Sequence, residues 1–335
     1  MIMYLRLELD MAPCPGSRAA RTGSPDSERE WWGPVVRRVL GNALIEAHCP
    51  FRVPRCRGED ASVVERCRLA ESCPYGVLFA ASLSRRPPWA LHVPRVAAGD
   101  PIERVEVTLL GPGWPLFPWV VTGLERALRA GVGRERRGYR SSRVLRVRLD
   151  RTWEELCGAD PSELPPALEP DDVPRHDRTP DEALRTVEVR LISPLRLKRE
   201  GKLVRDDDPV PLRELVARIL DRWDAVRGPD EETPFTPEAR RELEARAAEA
   251  ALVGHDVGWV EVRDYSAAKR SELLLGGKLG RLVFDGVPPD VLSVLRAGEV
   301  LHVGKNPTSG CGRIEVTTHL SCGSVQQDDL SLQEG

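Results

Sequence analysis

The segment from Gly298 to Arg313 sets several glycines between two predicted strands, together with the cationic side chains of Lys305 and Arg313. Glycine permits a positive φ and lets backbone amides approach a phosphate closely, while the two cations supply charge. This is the chemistry of a phosphate-binding loop. The same pattern is also typical of a glycine-rich hairpin that serves only the fold, and spacing alone does not separate the two interpretations.

Arginine is dense between residues 126 and 151, where acidic residues are few. Because guanidinium groups bind phosphates bidentately and stack on bases, this run favours RNA contact over a solvated strand face. A formal net charge of -3 gives no overall attraction to nucleic acid, so binding must come from local clusters of this kind. The candidate RNA contacts in this run are Arg134, Arg136, Arg137 and Arg143.

Six histidines are available for proton transfer near neutral pH. His48 ends the first predicted helix, where it could also simply face the helix dipole. His302 lies close to Lys305, although strand alternation could instead make it a packing residue. Tyr265 could carry a proton, stack on a base or pack in the core.

Four cysteines lie in one segment, and tetrahedral zinc is bound by four such thiolates. The gaps between them are wider than those of the usual zinc knuckles, so free thiols are the alternative and the default. The four candidate ligands of a structural zinc are Cys49, Cys56, Cys67 and Cys73.

The predicted elements follow one order, β-α-β-β-α-β, in the second half of the chain, and the first half fits the same order with its fourth strand undetermined. The sequence therefore predicts an α+β protein of two tandem ferredoxin-like (RRM-like) domains, each an antiparallel sheet with helices on one face. RNA-recognition domains of this topology place RNA on the open face of the sheet. The predicted strands are 4–9, 104–110, 143–149, 187–191, 257–264, 273–285, 299–303 and 313–318, and the predicted helices are 30–47, 118–130, 212–223, 236–252 and 289–295.

Prolines and acidic residues between positions 160 and 174 predict a linker between the two domains. We assign residues 1–152 to the N-terminal domain with a cysteine-containing insertion at 49–73, and 153–185 to the linker. Residues 186–320 form the predicted C-terminal domain and 321–335 a flexible tail. No apolar run approaches the roughly 20 residues of a membrane helix, and no secretory signal is recognised, so we expect a cytoplasmic protein with no membrane partner.

Several of these motifs resemble the RAMP superfamily, in particular the CRISPR-associated endoribonucleases that process precursor CRISPR RNA. Residues 303–312, with Val-Gly-Lys, a threonine and Gly-Cys-Gly, resemble the family's glycine-rich loop. Residues 263–280 resemble its Arg-Tyr-Ser segment and the following Gly-Gly-x-x-Gly, and 193–198 resemble the end of the first strand of its second domain. Residues 73–76 and 131–134 match less specific family features. The chain departs from the family where Asp264 precedes Tyr265, and where Ser309 and Cys311 replace the usual Phe and Leu.

The resemblance implies a metal-independent endoribonuclease that cleaves within each CRISPR repeat. The substrate's own 2′-hydroxyl is then the nucleophile, and the products carry 2′,3′-cyclic phosphate and 5′-hydroxyl ends. No cofactor is required for this cleavage. The implied partners are CRISPR repeat RNA, the processed crRNA and other CRISPR effector subunits. The alternative is a non-catalytic RNA-binding RAMP subunit of a CRISPR effector complex. A general RNA-recognition protein is disfavoured, because the usual aromatic strand motif is absent.

The resemblance also assigns roles to residues. Family members often supply a catalytic histidine from the first helix, so His48 is the first catalytic candidate and His302 the second, with Tyr265 and Lys305 as further candidates. The remaining candidate RNA contacts are Lys198, Arg263, Ser266, Lys269, Arg270, Lys278, Gly304, Thr308, Gly310, Gly312 and Arg313.

Overall fold

The computed structural model describes residues 4–14, 29–49, 67–70, 72–80, 87–97, 100–132, 138–149, 152–157, 185–205, 208–227, 235–266 and 271–319. These residues form two α+β domains, each built on an antiparallel sheet. Each domain has its own hydrophobic core, and Leu110 of the first domain packs into the core of the second. No helix in this described part of the chain is long and apolar enough to cross a membrane.

The elements of the first domain are β1 (Tyr4–Pro13), α1 (Gly33–His48), β2 (Trp89–His92), β3 (Arg104–Leu110), α2 (Phe117–Ala130), β4 (Tyr139–Leu149) and β5 (Thr152–Cys157). The sheet order is β2-β3-β1-β4-β5, and every pair is antiparallel. Strand β1 alternates, because Leu7 and Leu9 enter the core with the helices while Arg6 and Glu8 face the other side. A two-residue strand pair, Arg29–Glu30 with Val96–Ala97, lies outside this sheet.

Helices α1 and α2 cover one face of the first sheet. Val36, Leu40 and Leu44 recur every four residues of α1 and are fully buried, as expected for a helix packed along one stripe. Gly123 of α2 allows the close contact of the two helices, because a Cβ at this position would lie only 3.1 to 3.2 Å from leucine side chains of α1. The end of α1 is thereby held next to the start of α2.

The elements of the second domain are β6 (Arg185–Leu195), α3 (Leu212–Val226), α4 (Pro237–Glu249), β7 (Ala251–Val260), β8 (Arg263–Ser266), β9 (Ser271–Leu274), β10 (Gly277–Val287), α5 (Pro289–Leu301) and β11 (Ile314–His319). The main sheet has the order β7-β10-β6-β11, and β8 and β9 form a separate hairpin. A further short hairpin pairs Lys198–Arg199 with Lys202–Leu203. The four principal strands of both domains have the ferredoxin-like arrangement, so the predicted fold class is confirmed.

The main differences from the sequence prediction lie at three places. The predicted strand at 299–303 is wrong, because α5 continues to Leu301, whose side chain is buried one turn after Gly298. Strand β7 begins at Ala251, six residues before the predicted start. Strand β5 extends the first sheet into the range predicted as a linker, and residues 158–184 of that range lie outside the described residues, as does the predicted tail.

Candidate functional site

The glycine-rich segment folds back on the end of β6. The amide of Gly312 donates to the Pro194 carbonyl at 3.1 Å, and the Lys305 amide donates to the Arg196 carbonyl at 3.0 Å. Gly312 has φ +77, and a Cβ there would lie 1.9 Å from the Val303 carbonyl oxygen. Glycine is therefore required at this position by the packing of the loop on itself.

The same segment also contacts the N-terminal domain. The indole Nε1 of Trp31 donates to the Ser309 carbonyl at 3.2 Å, and Nε of Arg37 donates to the Thr308 hydroxyl at 3.1 Å. Arg37 is itself held over the ring of Phe79, 5.2 Å from its centroid. The loop thus packs between the two domains and contacts both. Four of the predicted RNA contacts are buried in this interdomain packing, and their role in RNA binding stays a prediction: Thr308, Gly310, Gly312 and Arg313.

Between Val303 and Arg313, only the tip at residues 304–306 reaches the surface. Gly304 is partly exposed and the side chain of Lys305 is exposed. Gly304 has φ +84, and its Cβ position is closed by the Arg196 carbonyl at 2.4 Å. The tip can therefore meet a ligand from outside, whereas the body of the loop cannot.

His302 lies inside the molecule and is only 2% exposed. Its Nδ1 is 3.2 Å from the Cys311 carbonyl oxygen, and burial, reinforced by the nearby Arg313, holds its pKa well below the usual value. A side chain in this position cannot reach an RNA 2′-hydroxyl. His302 packs as a neutral residue at the C-terminal end of α5, a position that does not support catalysis, and its catalytic role stays a prediction.

A cluster of charged side chains is buried around His302. Arg6 of β1 donates through Nη2 to the Glu299 carbonyl at 2.9 Å, and Arg313 donates through Nη1 to the same carbonyl. Arg222 of α3 donates to the Leu301 carbonyl at 3.3 Å. The three cations thus meet the carbonyl end of α5, where the helix dipole is negative.

This cluster covers the first sheet on the side opposite its helices. Arg6, Glu8 and His92 project from that side and are all buried, at 2%, 3% and 8% exposure. The expectation of an open face for RNA is therefore wrong at this part of the N-terminal sheet, because the end of α5 and the glycine-rich segment occupy it.

Lys278 is another predicted RNA contact that the structure buries, at 1% exposure. Its Nζ donates to the Asp208 carbonyl at 2.6 Å, so its charge serves an internal contact. Lys198 is exposed on the short strand Lys198–Arg199, and its prediction as an RNA contact stays open to test. Among the other candidates, Arg143 lies on β4, and Arg263, Tyr265 and Ser266 lie on the β8 hairpin. Five candidates lie outside the described residues: Arg134, Arg136, Arg137, Lys269 and Arg270.

His48 is in a different environment from His302. It is the last residue of α1 and is partly exposed, and its ring makes an edge-on contact with Trp119, with centroids 4.4 Å apart and an interplanar angle of 72°. Its Nε2 atom is shielded from solvent and has no hydrogen-bond partner in the structure. Burial and, secondarily, the charge of Arg126 lower its pKa. His48 is therefore neutral at neutral pH, as a general base must be.

The structure describes three of the four cysteines that were predicted to bind zinc. Cys49, Cys67 and Cys73 are partly exposed free thiols, and Cys56 lies outside the described residues. Among the residues that can be described, no group of three metal-ligating side chains is assembled. Structural zinc stays a prediction.

The sequence interpretation missed three residues that the structure makes prominent. Trp31 and Arg37 tie the N-terminal domain to the glycine-rich segment, and nothing in their local sequence indicates such distant partners. Trp119 is 45% exposed beside His48. It falls outside the apolar stripe of α2, and this signal was available in the sequence.

Comparisons with known proteins agree with this fold. Residues 189–314 match the family model described as CRISPR-associated endoribonuclease Cas6, and residues 25–167 match a second model described as an N-terminal domain. No curated protein sequence matches the chain.

The solved structures similar to this chain include several Cas6 proteins. A Cas6 product complex has 17% sequence identity and a TM-score of 0.50, with 95% of this chain and 99% of that chain covered. Thermus thermophilus Cas6 has 16% identity, a TM-score of 0.47 and coverage of 95% and 99%. A Cas6-related protein from Pyrococcus furiosus has 12% identity, a TM-score of 0.43 and coverage of 94% and 99%. The first of these shows the shared tandem fold.

Proposed function

We propose that this chain, whose C-terminal domain matches the model of the Cas6 family of CRISPR-associated endoribonucleases, binds CRISPR repeat RNA and cleaves precursor CRISPR RNA within each repeat. The observation that carries the proposal is the family match over residues 189–314, nearly the whole of that domain. The similar fold of a Cas6 product complex supports the same substrate class.

The proposed reaction is an attack of the 2′-hydroxyl on the adjacent phosphorus, with release of the 5′-oxygen of the next nucleotide. One proton leaves the 2′-hydroxyl and one is given to the departing oxygen, so the products carry a 2′,3′-cyclic phosphate and a 5′-hydroxyl. No metal or cofactor enters this step. Proton transfer by a positioned side chain contributes about 10²- to 10⁴-fold in rate.

His48 is the proposed general base. Its pKa is lowered mainly by burial, so the imidazole is neutral at pH 7 and can accept the proton of the 2′-hydroxyl. The positive charge of Arg126 is close enough to act on His48 and can also favour the negative charge that develops on the phosphorane. Lys305 at the exposed loop tip and Tyr265 on β8 stay as further proposed catalytic groups, without a described contact to His48.

The proposed partners follow from the same chemistry. Repeat RNA is the substrate and crRNA the product, and other CRISPR subunits are proposed to receive that product. Phosphate contact is proposed for Lys198, which is exposed, and for Arg143 on β4 and Arg263 on β8.

Incubation of the purified protein with its own repeat RNA in EDTA tests the proposal. We expect one cut per repeat, a 2′,3′-cyclic phosphate end, and a rate that rises with pH and levels off before pH 7, because the His48 base must lose its proton. His255, exposed on β7, provides the matched control variant His255→Ala. Tight binding without any cut would instead favour a non-catalytic RNA-binding subunit.

A further inference from the structure

The outer face of α2 carries an exposed stripe next to His48. Trp119, Thr122, Arg126 and Arg129 recur at steps of three and four residues, and all four are exposed. These steps place them on one side of an α-helix. The buried residues of α2, such as Val120 and Leu124, lie on the other side and pack in the core.

Trp119 is the most exposed aromatic side chain among those that the structure describes, at 45%. Its contact with His48 is edge-on, at 4.4 Å between centroids, and such a contact uses at most one face of the indole. A large part of the ring therefore remains open to a ligand beside the candidate base. A large aromatic surface gains most from a flat apolar partner, and the faces of nucleobases are such partners.

The arginines on the same stripe can bind the phosphate groups of a nucleotide. Helical side chains lean toward the N-terminus, so the guanidinium of Arg126 reaches back from its Cα toward Trp119, about two turns away. Its influence on the pKa of His48 places this charge near the imidazole. Arg129 extends the positive stripe by one further turn. Along the helix, the stripe thus presents an aromatic face at Trp119 and then two arginines that can bind phosphates. The proton acceptor His48 lies beside it.

We propose that Trp119, Arg126 and Arg129 form a nucleotide subsite, in which a base flanking the scissile phosphate stacks on Trp119 while the arginines hold the adjoining phosphates. This inference rests on the proposed function, because it supposes that His48 acts on RNA. Trp119 is a positioning residue: the stacked base fixes the ribose whose 2′-hydroxyl faces His48. The substrate at this point is a single-stranded nucleotide, since a base stacked on both sides within a duplex has no free face to offer.

A merely structural role is the competing explanation, in which Trp119 only packs against His48. Two substitutions separate the explanations. Trp119→Phe keeps an aromatic face, whereas Trp119→Leu keeps apolar packing against His48 and removes the face.

The test is a double-mutant cycle between protein and RNA. Full-length protein, as wild type, Trp119→Leu or Trp119→Phe, is titrated with repeat RNA whose cleavage-site nucleotide carries 2′-deoxyribose, so that binding is measured without cleavage. A second RNA series lacks one base at each position that flanks the cleavage site. Circular dichroism of each variant checks that the fold is intact.

At one flanking position, we expect base removal to weaken wild-type binding by about 5- to 100-fold, the range for a base stacked on an aromatic side chain. The Leu variant should be insensitive to the same removal, and the Phe variant should retain most of the sensitivity. Additive effects of Trp119→Leu and base removal at every flanking position would overturn the proposal. Cleavage of unmodified RNA is assayed separately. If the effects are additive but the RNA is cut, the subsite proposal fails and the proposed nuclease activity stands. If the effects are coupled but no RNA is cut, the nuclease proposal fails and the subsite stands as a binding site.

Discussion

Acidification from pH 7 to pH 5 should weaken the folded protein by about 2 kcal/mol through one side chain, that of His92. His92 ends β2, is 8% exposed, and its Nδ1 has no hydrogen-bond partner in the structure. Burial lowers its pKa from 6.5 to about 4, the charge of Glu106 opposes this change, and the nearby Arg313 and Arg6 add to it. The imidazole is therefore kept neutral inside the domain interface.

The sign and size follow from proton linkage. The unfolded chain binds a proton at His92 below about pH 6.5, whereas the folded chain binds it only below about pH 4. Stability is therefore fully present above pH 6.5 and is lost as the pH falls toward 4. The whole loss is about 3 kcal/mol, and about 2 kcal/mol of it falls between pH 7 and pH 5.

Urea unfolding of the wild type and His92→Gln at pH 7, 6 and 5, followed by tryptophan fluorescence, measures this contribution. The substitution removes the titrating group, so the free energy of unfolding should fall by about 2 kcal/mol less in the variant than in the wild type over this range. His255→Asn on exposed β7 is the control and should follow the wild type. Equal pH dependence of the wild type and His92→Gln would refute the reasoning, even if the variant is less stable at every pH.

Two further predictions concern the junction between the domains. Gly312→Ala places a Cβ 1.9 Å from the Val303 carbonyl oxygen at φ +77, so it should lower the free energy of unfolding by at least about 3 kcal/mol. The control, Gly201→Ala, has a similar φ of +80 but open space around it, and should lower it by only about 1 kcal/mol. Similar losses of unfolding free energy in the two variants would show that the backbone conformation, not the close contact with Val303, sets the cost. Arg222→Leu removes the donor to the Trp89 carbonyl at 3.0 Å and should cost about 3 kcal/mol, measured by urea unfolding at pH 7, since a buried carbonyl loses its partner; an unchanged midpoint would contradict this role.

The order of strands and helices could be predicted because the spacing of apolar residues within each segment indicates its type. Val187, Val189 and Leu191 alternate along β6 and all are buried, as the pattern indicates. The end of α5 was missed for the same reason. Residues 299–303, Glu-Val-Leu-His-Val, are too short a window to separate strand from helix, and the helix ends only where His302 takes φ +58.

The placement of charged residues could not be predicted in this way. Lys278 and Arg313 are polar in sequence and would ordinarily face solvent, yet each is buried against a carbonyl or a carboxylate far away in the chain. His302 is buried as well, against the Cys311 carbonyl. The glycine-rich loop could be recognised by its composition. Its position between the domains depends on Trp31 and Arg37, which are more than 270 positions away and carry no local signal.

The measurement that tests the central claim most directly is single-turnover cleavage of end-labelled repeat RNA in EDTA by the wild type, His48→Ala and His302→Gln. We predict one 2′,3′-cyclic phosphate product, a loss of about 10²- to 10⁴-fold in rate for His48→Ala with RNA affinity little changed, and a rate within about tenfold of the wild type for folded His302→Gln. Full activity of His48→Ala, or binding of repeat RNA by the wild type with no cleavage, would contradict the account.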